Sequence, residues 1–222
     1  VSSDAFNLTV EGDLTPSGNG VTYTADIPEI APLAGPYGQQ LQGQVSLNGV
    51  AEPGEVIVAE GVLAATELNY NSTRLGTLQL RHDVRVGAAI TAGIRLTGQS
   101  GTLAGTDVTA AIRADLPMIE VSTLRGTVAG QRFNGALSAD LSDGPALDGA
   151  LSVSAVDLAA LDRTLGLGAD LQGNGSLNLT LSSGAAQSLR LAGALRSVGT
   201  GALTLASVDL DAEVADLFGT PR

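Results

Sequence analysis

Val84-Arg85-Val86-Gly87-Ala88-Ala89-Ile90-Thr91-Ala92-Gly93-Ile94-Arg95-Leu96 is the stretch that decides how this chain is read. Its even positions are Val84, Val86, Ala88, Ile90, Ala92, Ile94 and Leu96, while the odd positions carry Arg, Gly, Ala and Thr. Successive side chains of a strand point to opposite sides. A period of two therefore predicts a strand with one apolar and one solvated face. The pattern extends in both directions. Val21, Tyr23, Ala25 and Ile27 alternate with Thr22, Thr24 and Asp26, and Val108, Ala110, Ile112, Ala114 and Leu116 alternate with Asp107, Thr109, Arg113 and Asp115. Further along, Leu137, then Leu147, Leu151 and Val153, then Leu177, Leu179 and Leu181 keep the period. Leu189 with Leu191 and Leu203 with Leu205 follow, and Val208, Leu210, Ala212 and Val214 face away from Asp209, Asp211 and Glu213.

Turn signals separate these runs: Pro16-Ser17-Gly18-Asn19-Gly20, Pro53-Gly54, Gly98-Gln99-Ser100-Gly101, Ser142-Asp143-Gly144-Pro145, Ser182-Ser183-Gly184 and Gly199-Thr200-Gly201. Short loops between alternating strands predict antiparallel neighbours in a meander of roughly 16 to 18 strands. Helix is scarce. Val156 to Leu165 has apolar residues at helical spacing, with Asp157 as N-cap and Gly166 as a stop. Ile27 to Leu33, cut by Pro28 and Pro32, reads as a distorted counterpart.

That counterpart belongs to a repeat. Leu41-Gln42-Gly43-Gln44-Val45-Ser46-Leu47-Asn48 returns 130 residues later as Leu171-Gln172-Gly173-Asn174-Gly175-Ser176-Leu177-Asn178, with six of eight residues identical. Asp26-Ile27-x-x-Ile30 and Asp157-Leu158-x-x-Leu161 lead into the two copies. A long-period repeat in alternating strands points to an extended β architecture, and any function is then spread along it. We read residues 1–222 as one elongated repeat region with approximate units 1–102, 103–155 and 156–222, cut from a longer protein.

Composition narrows the function. Hydrophobic residues make up 44% of the chain but aromatics only 3%, with 29 Gly and no Trp, so small side chains would under-pack a thick two-sheet core. A curved sheet with a partly open apolar face suits this better. Net charge is −12, all eleven cations are Arg, and no basic cluster exists to neutralise phosphates, which argues against nucleic acid and anionic membrane surfaces. The absence of Cys removes disulfides and thiolate metal sites. No apolar run is long enough for a transmembrane helix.

An active site does not emerge. His82 is the only histidine, lies beside Arg81 and Asp83, and reads as an exposed histidine in a strand-to-turn region. No cofactor and no metal is expected, and the Asp209-x-Asp211-x-Glu213 ladder reads as a solvated strand face in preference to a calcium site.

Alternating Leu/Ala strands, Leu-x-Gly-x-x-Ser-Leu units and the Asp-Leu-x-x-Leu lead-in resemble the TamB family, the periplasmic subunits of the translocation and assembly module, within the AsmA-like group. Asp26 to Gly49, Asp157 to Leu181 and the closing segment from Gly193 to Val214 carry the likeness. It implies an all-β fold, a long antiparallel sheet folded lengthwise around an apolar groove. It also implies a non-enzymatic periplasmic bridge that carries phospholipid acyl chains between inner and outer membranes. The full-length protein would be anchored in the inner membrane, with a TamA-like, BamA-type outer-membrane barrel as partner and a role in autotransporter assembly. The groove candidates are the inward Leu, Ile and Val residues named above. Two other readings are a β-solenoid adhesin or autotransporter passenger, and a scaffold that offers a sheet edge to nascent strands.

Overall fold

A computed structural model of the chain describes residues 6–15, 17–34, 40–71, 73–142, 146–165, 168–183, 187–201 and 203–215. Two compact units divide it, Val1–Thr109 and Ala110–Arg222. The first holds β1 (Asn7–Asp13), β2 (Gly20–Ile27), α1 (Ala31–Ala34), β3 (Leu41–Glu52), β4 (Ile57–Tyr70), β5 (Thr73–Val86) and β6 (Ile90–Gly98). A 3-10 turn, Gly101–Leu103, leads into β7 (Asp107–Asp115), within which the boundary falls. The second holds β8 (Met118–Val128), β9 (Gln131–Asp140), β10 (Ala146–Asp157), α2 (Leu158–Leu165), β11 (Leu171–Ser182), β12 (Ser188–Thr200) and β13 (Leu203–Ala215). Strand order follows chain order from β1 to β13 in one antiparallel sheet, the expected all-β meander.

Thirteen strands form where 16 to 18 were expected, because several strands are long. Gly43, Gly49 and Gly149 lie inside strands instead of ending them, and β4 and β5 run 14 residues each. The opposite error occurs at Val84–Leu96, which is a hairpin. Gly87 N–H donates to the Ala89 carbonyl at 3.2 Å, and Val86 pairs with Ile90. A three-residue connection keeps even positions on one face, so the predicted pattern survives the turn.

The sequence repeat is a structural one. Register slips between Gln42 and Gln44 where β3 meets β4, and between Gln172 and Asn174 where β11 meets β12. At each slip the glycine is left-handed, Gly43 at φ 139° and Gly173 at φ 131°. The facing strand contributes a left-handed residue as well, Glu67 at φ 53° and Ser197 at φ 50°, again 130 positions apart. A bulge of this kind leaves one residue unpaired and bends its strand.

Each bulge has a helix beside it. Ile30, just before α1, donates its N–H to the Gly43 carbonyl at 3.0 Å and buries its side chain with Ala65 and Leu68. In the second unit Asp157 caps α2, its carboxylate accepting Ala160 N–H at 2.9 Å, as the sequence predicts. The Asp162 carboxylate, buried, accepts N–H bonds from Ala169 and Leu171 and ties the returning loop to the helix. Buried Gln131 bonds both the N–H and the carbonyl of Asp157, fixing the helix entry to the β8–β9 turn. Gly166, the predicted stop, lies outside the described residues.

Candidate functional site: an apolar sheet face

Paired residues of an antiparallel ladder share a face, so the registers place every candidate side chain. In the first unit, Ile27, Val45, Ala65 and Leu78 form one row across β2 to β5. Ala25, Leu47, Leu63, Leu80 and Leu96 form the next. Beyond it run Tyr23, Gly49, Gly61, His82 and Ile94, then Val21, Ala51, Ala59, Val84 and Ala92. Ile57, Val86 and Ile90 end the series. Val84, Val86, Ile90, Ile94 and Leu96 are thus brought together on one face.

The second unit repeats the arrangement. Val121, Leu137, Gly149, Leu181, Leu189 and Val214 share a row from β8 to β13. Leu151, Leu179, Leu191 and Ala212 make a second, and Val153, Leu177, Gly193 and Leu210 a third. Val156, Gly175, Leu195 and Val208 make a fourth, across the β10 bulge. Val108 and Ile112 alternate with exposed Asp107, Ala111 and Arg113 on β7 and flank buried Ala110.

Leu203 and Leu205 do not join these rows. They pair with Thr200 and Val198, beyond the left-handed Ser197, and are 64% and 50% exposed. The β12–β13 register runs without a shift from Ser188↔Ala215 to Thr200↔Leu203, so Leu203 and Leu205, at odd positions, are out of phase with Val208, Leu210, Ala212 and Val214.

Coverage of the face is local. Among the described residues the buried hydrophobics are Ile30, Ala51, Ala65, Leu68, Ala110, Val156 and Leu195. Three of them gather beside α1, Ile30 against Ala65 and Leu68, and in the second unit Leu158 of α2 lies over Gly173, where an added Cβ would be 3.3 Å from its Cδ1. Elsewhere most apolar side chains of the rows are only partly buried, and Val86 at 40%, Ile90 at 44% and Val214 at 53% are exposed. A sandwich core would bury them.

The opposite face is polar. Arg95 bonds both Asp107 oxygens, with the shorter contact at 2.7 Å, and Arg190 does the same to Asp211 at 2.8 Å. These guanidiniums hold the Asp107 and Asp211 carboxyls below the usual carboxylate range. Both pairs are solvent-exposed and contribute little stability. Among the described residues no group of acidic or histidine side chains is placed to hold a metal ion, and no helix is long and apolar enough to cross a membrane.

One site was missed by sequence reasoning. His82 is not an exposed turn residue. It lies within β5, half-buried on the apolar face, with Nε2 2.8 Å from the Tyr23 hydroxyl. Tyr23 reaches it from three strands away because Gly49 and Gly61 stand between them in the same row. A Cβ on Gly61 would lie 2.7 Å from His82 Cε1, and one on Gly49 would collide with the Tyr23 ring. The two rings stack with centroids 6.3 Å apart, and burial pushes the Tyr23 hydroxyl pKa up. The signal was present as Gly49 and Gly61 interrupting apolar alternation, but only register puts them in line. No protein-family model, curated protein or solved structure matches the chain.

Proposed function

We propose that this chain is a non-enzymatic lipid carrier segment, in which phospholipid acyl chains lie against the apolar sheet face. The observation that carries the reading is that face: row after row of Leu, Ile, Val and Ala in register, half-exposed, with helical cover only near the two bulges among the described residues. Exposed apolar surface of this extent marks an interaction site. An acyl chain in water costs about 0.8 kcal/mol per methylene, and a sheet face of uniform character relieves that cost without creating a trap at any one position. The acidic, Lys-free composition leaves the acyl chains, not the head group, as the part to be held.

On this reading the chain is an interior part of a TamB-like, AsmA-type periplasmic bridge between inner and outer membranes. The whole protein would be anchored in the inner membrane and would meet a TamA-like outer-membrane barrel through other regions. The adhesin reading is less well supported, since a β-solenoid stacks parallel coils and these strands pair antiparallel with their chain neighbours.

Native mass spectrometry with lipid extraction tests the proposal, comparing the parent with an Ile94→Asp, Leu179→Asp variant. Phospholipid retained by the parent and lost by a folded variant is the expected result. A lipid-free parent that unfolds on either substitution would mean that the face is a closed core.

A further inference from the structure

Tyr23 and His82 are the polar side chains in the rows that β2 to β6 pair on the apolar face of the first unit. The Tyr23 hydroxyl has two partners, the Glu60 carbonyl at 3.2 Å and His82 Nε2 at 2.8 Å. A carbonyl only accepts, so both bonds are made together only when the hydroxyl proton goes to Glu60. The second bond then requires a proton on His82 Nε2, donated to the hydroxyl oxygen. Both the Nε2–H neutral tautomer and the imidazolium meet that requirement. Protonating His82 therefore breaks neither hydrogen bond and changes one thing, the charge on the face.

Among the described residues that the ladder places beside His82 on this face, none is charged. Gly61 and Ile94 flank His82 across the ladder, and Leu80 and Val84 flank it along β5. Ala59 and Leu63 of β4, Ala92 and Leu96 of β6, and Gly49 of β3 complete the surroundings on this face, and Tyr23 is its titratable neighbour. The nearby charged side chains Glu60, Arg81, Asp83 and Arg95 occupy alternate positions on the other face. A charge gained here would stand unpaired on an apolar surface.

We infer that proton uptake by His82 and acyl-chain occupancy of the first unit oppose each other, so that the face holds lipid above the histidine's titration and releases it below. This rests on the proposed acyl-carrying role and adds a condition to it. An acyl chain laid over a neutral imidazole buries a satisfied polar pair, whereas laid over an imidazolium it strips water from an unpaired charge. The coupling is reciprocal: lipid must lower the titration midpoint by the same factor by which protonation weakens lipid binding.

Because His82 is the only histidine, its imidazole gives one unambiguous NMR signal set. The test is its titration with and without palmitoyl lysophosphatidylcholine below micelle formation, beside the lipid's affinity across the same pH range. A midpoint lowered by about one unit, with roughly tenfold weaker binding below it, is expected. In His82→Phe, lipid affinity, whatever its level, should no longer change across this pH range. Tyr23→Phe, which keeps the ring but not the hydroxyl, should keep the dependence. A midpoint that lipid leaves unmoved while binding occurs overturns this inference alone. A raised midpoint also overturns it and would assign the ring to an anionic head group. Absence of binding at every pH overturns the acyl-carrying role together with it.

Discussion

Replacing Gly43 by Ala probes the repeated bulge most directly. Gly43 sits at φ 139°, a conformation L side chains rarely adopt, and a Cβ there would lie 2.8 Å from the Thr66 carbonyl and 3.0 Å from Leu68 Cδ2. Strain at such a backbone position costs about 1–3 kcal/mol. Displacing Leu68 from its contact with Ile30 and Ala65 adds about 1 kcal/mol or more, as overpacking does. The sum, roughly 2–4 kcal/mol, is a large share of the stability of a domain of this size. Gly93 is the control: it has ordinary backbone angles, and a Cβ would meet nothing within 4 Å. Gly93→Ala should be neutral or raise stability by up to about 1 kcal/mol through the unfolded chain. Urea unfolding followed by far-UV circular dichroism separates the two. Gly43→Ala and Gly93→Ala within about 0.5 kcal/mol of each other, inside the usual range for surface changes, would refute the reasoning. Gly173→Ala, at φ 131° and 3.1 Å from the Arg196 carbonyl, should repeat the loss in the second unit.

Two further outcomes follow from caps and carboxylates. Asp157→Ala removes the bond to Ala160 N–H and should cost about 0.5–2 kcal/mol, with faster amide exchange across Leu158–Leu165, whereas Asp157→Asn should largely preserve it. The Asp148 carboxylate accepts from the Ser183 hydroxyl and backbone N–H, and those bonds lower its pKa. Its contribution is therefore present above the ordinary carboxylate pKa and lost as pH falls through the lowered folded value. An NMR titration of Asp148 should report a midpoint below that of Asp148 in the Ser183→Ala variant, and equal midpoints would contradict it.

Sequence periodicity carried the fold class and most of the apolar face, because a half-buried strand writes its face directly into alternate residues. Val84, Ile94, Leu151 and Leu179 were readable in this way, and register confirms that they share faces with the neighbours the pattern implies. Asp157 was readable because capping is local chemistry. What failed was long-range or conformational. Nothing beside His82 announces Tyr23, 59 positions earlier in the chain, because the link runs through two glycines that align only once four strands are paired. Glycine was misread in both directions: Gly87 was taken as part of a strand where the chain turns, and Gly199 as part of a turn where β12 continues to Thr200.

Strand order identical to chain order has a consequence for how the molecule comes into being. Every strand finds its partner in the segment made immediately before it, so no early strand waits for a distant one. Pairing by adjacent hairpins keeps loop-closure entropy small for a β protein and favours rapid formation. The sheet can lengthen at its newest edge while the chain is still being delivered, and each interrupted stage is a shorter version of the finished one.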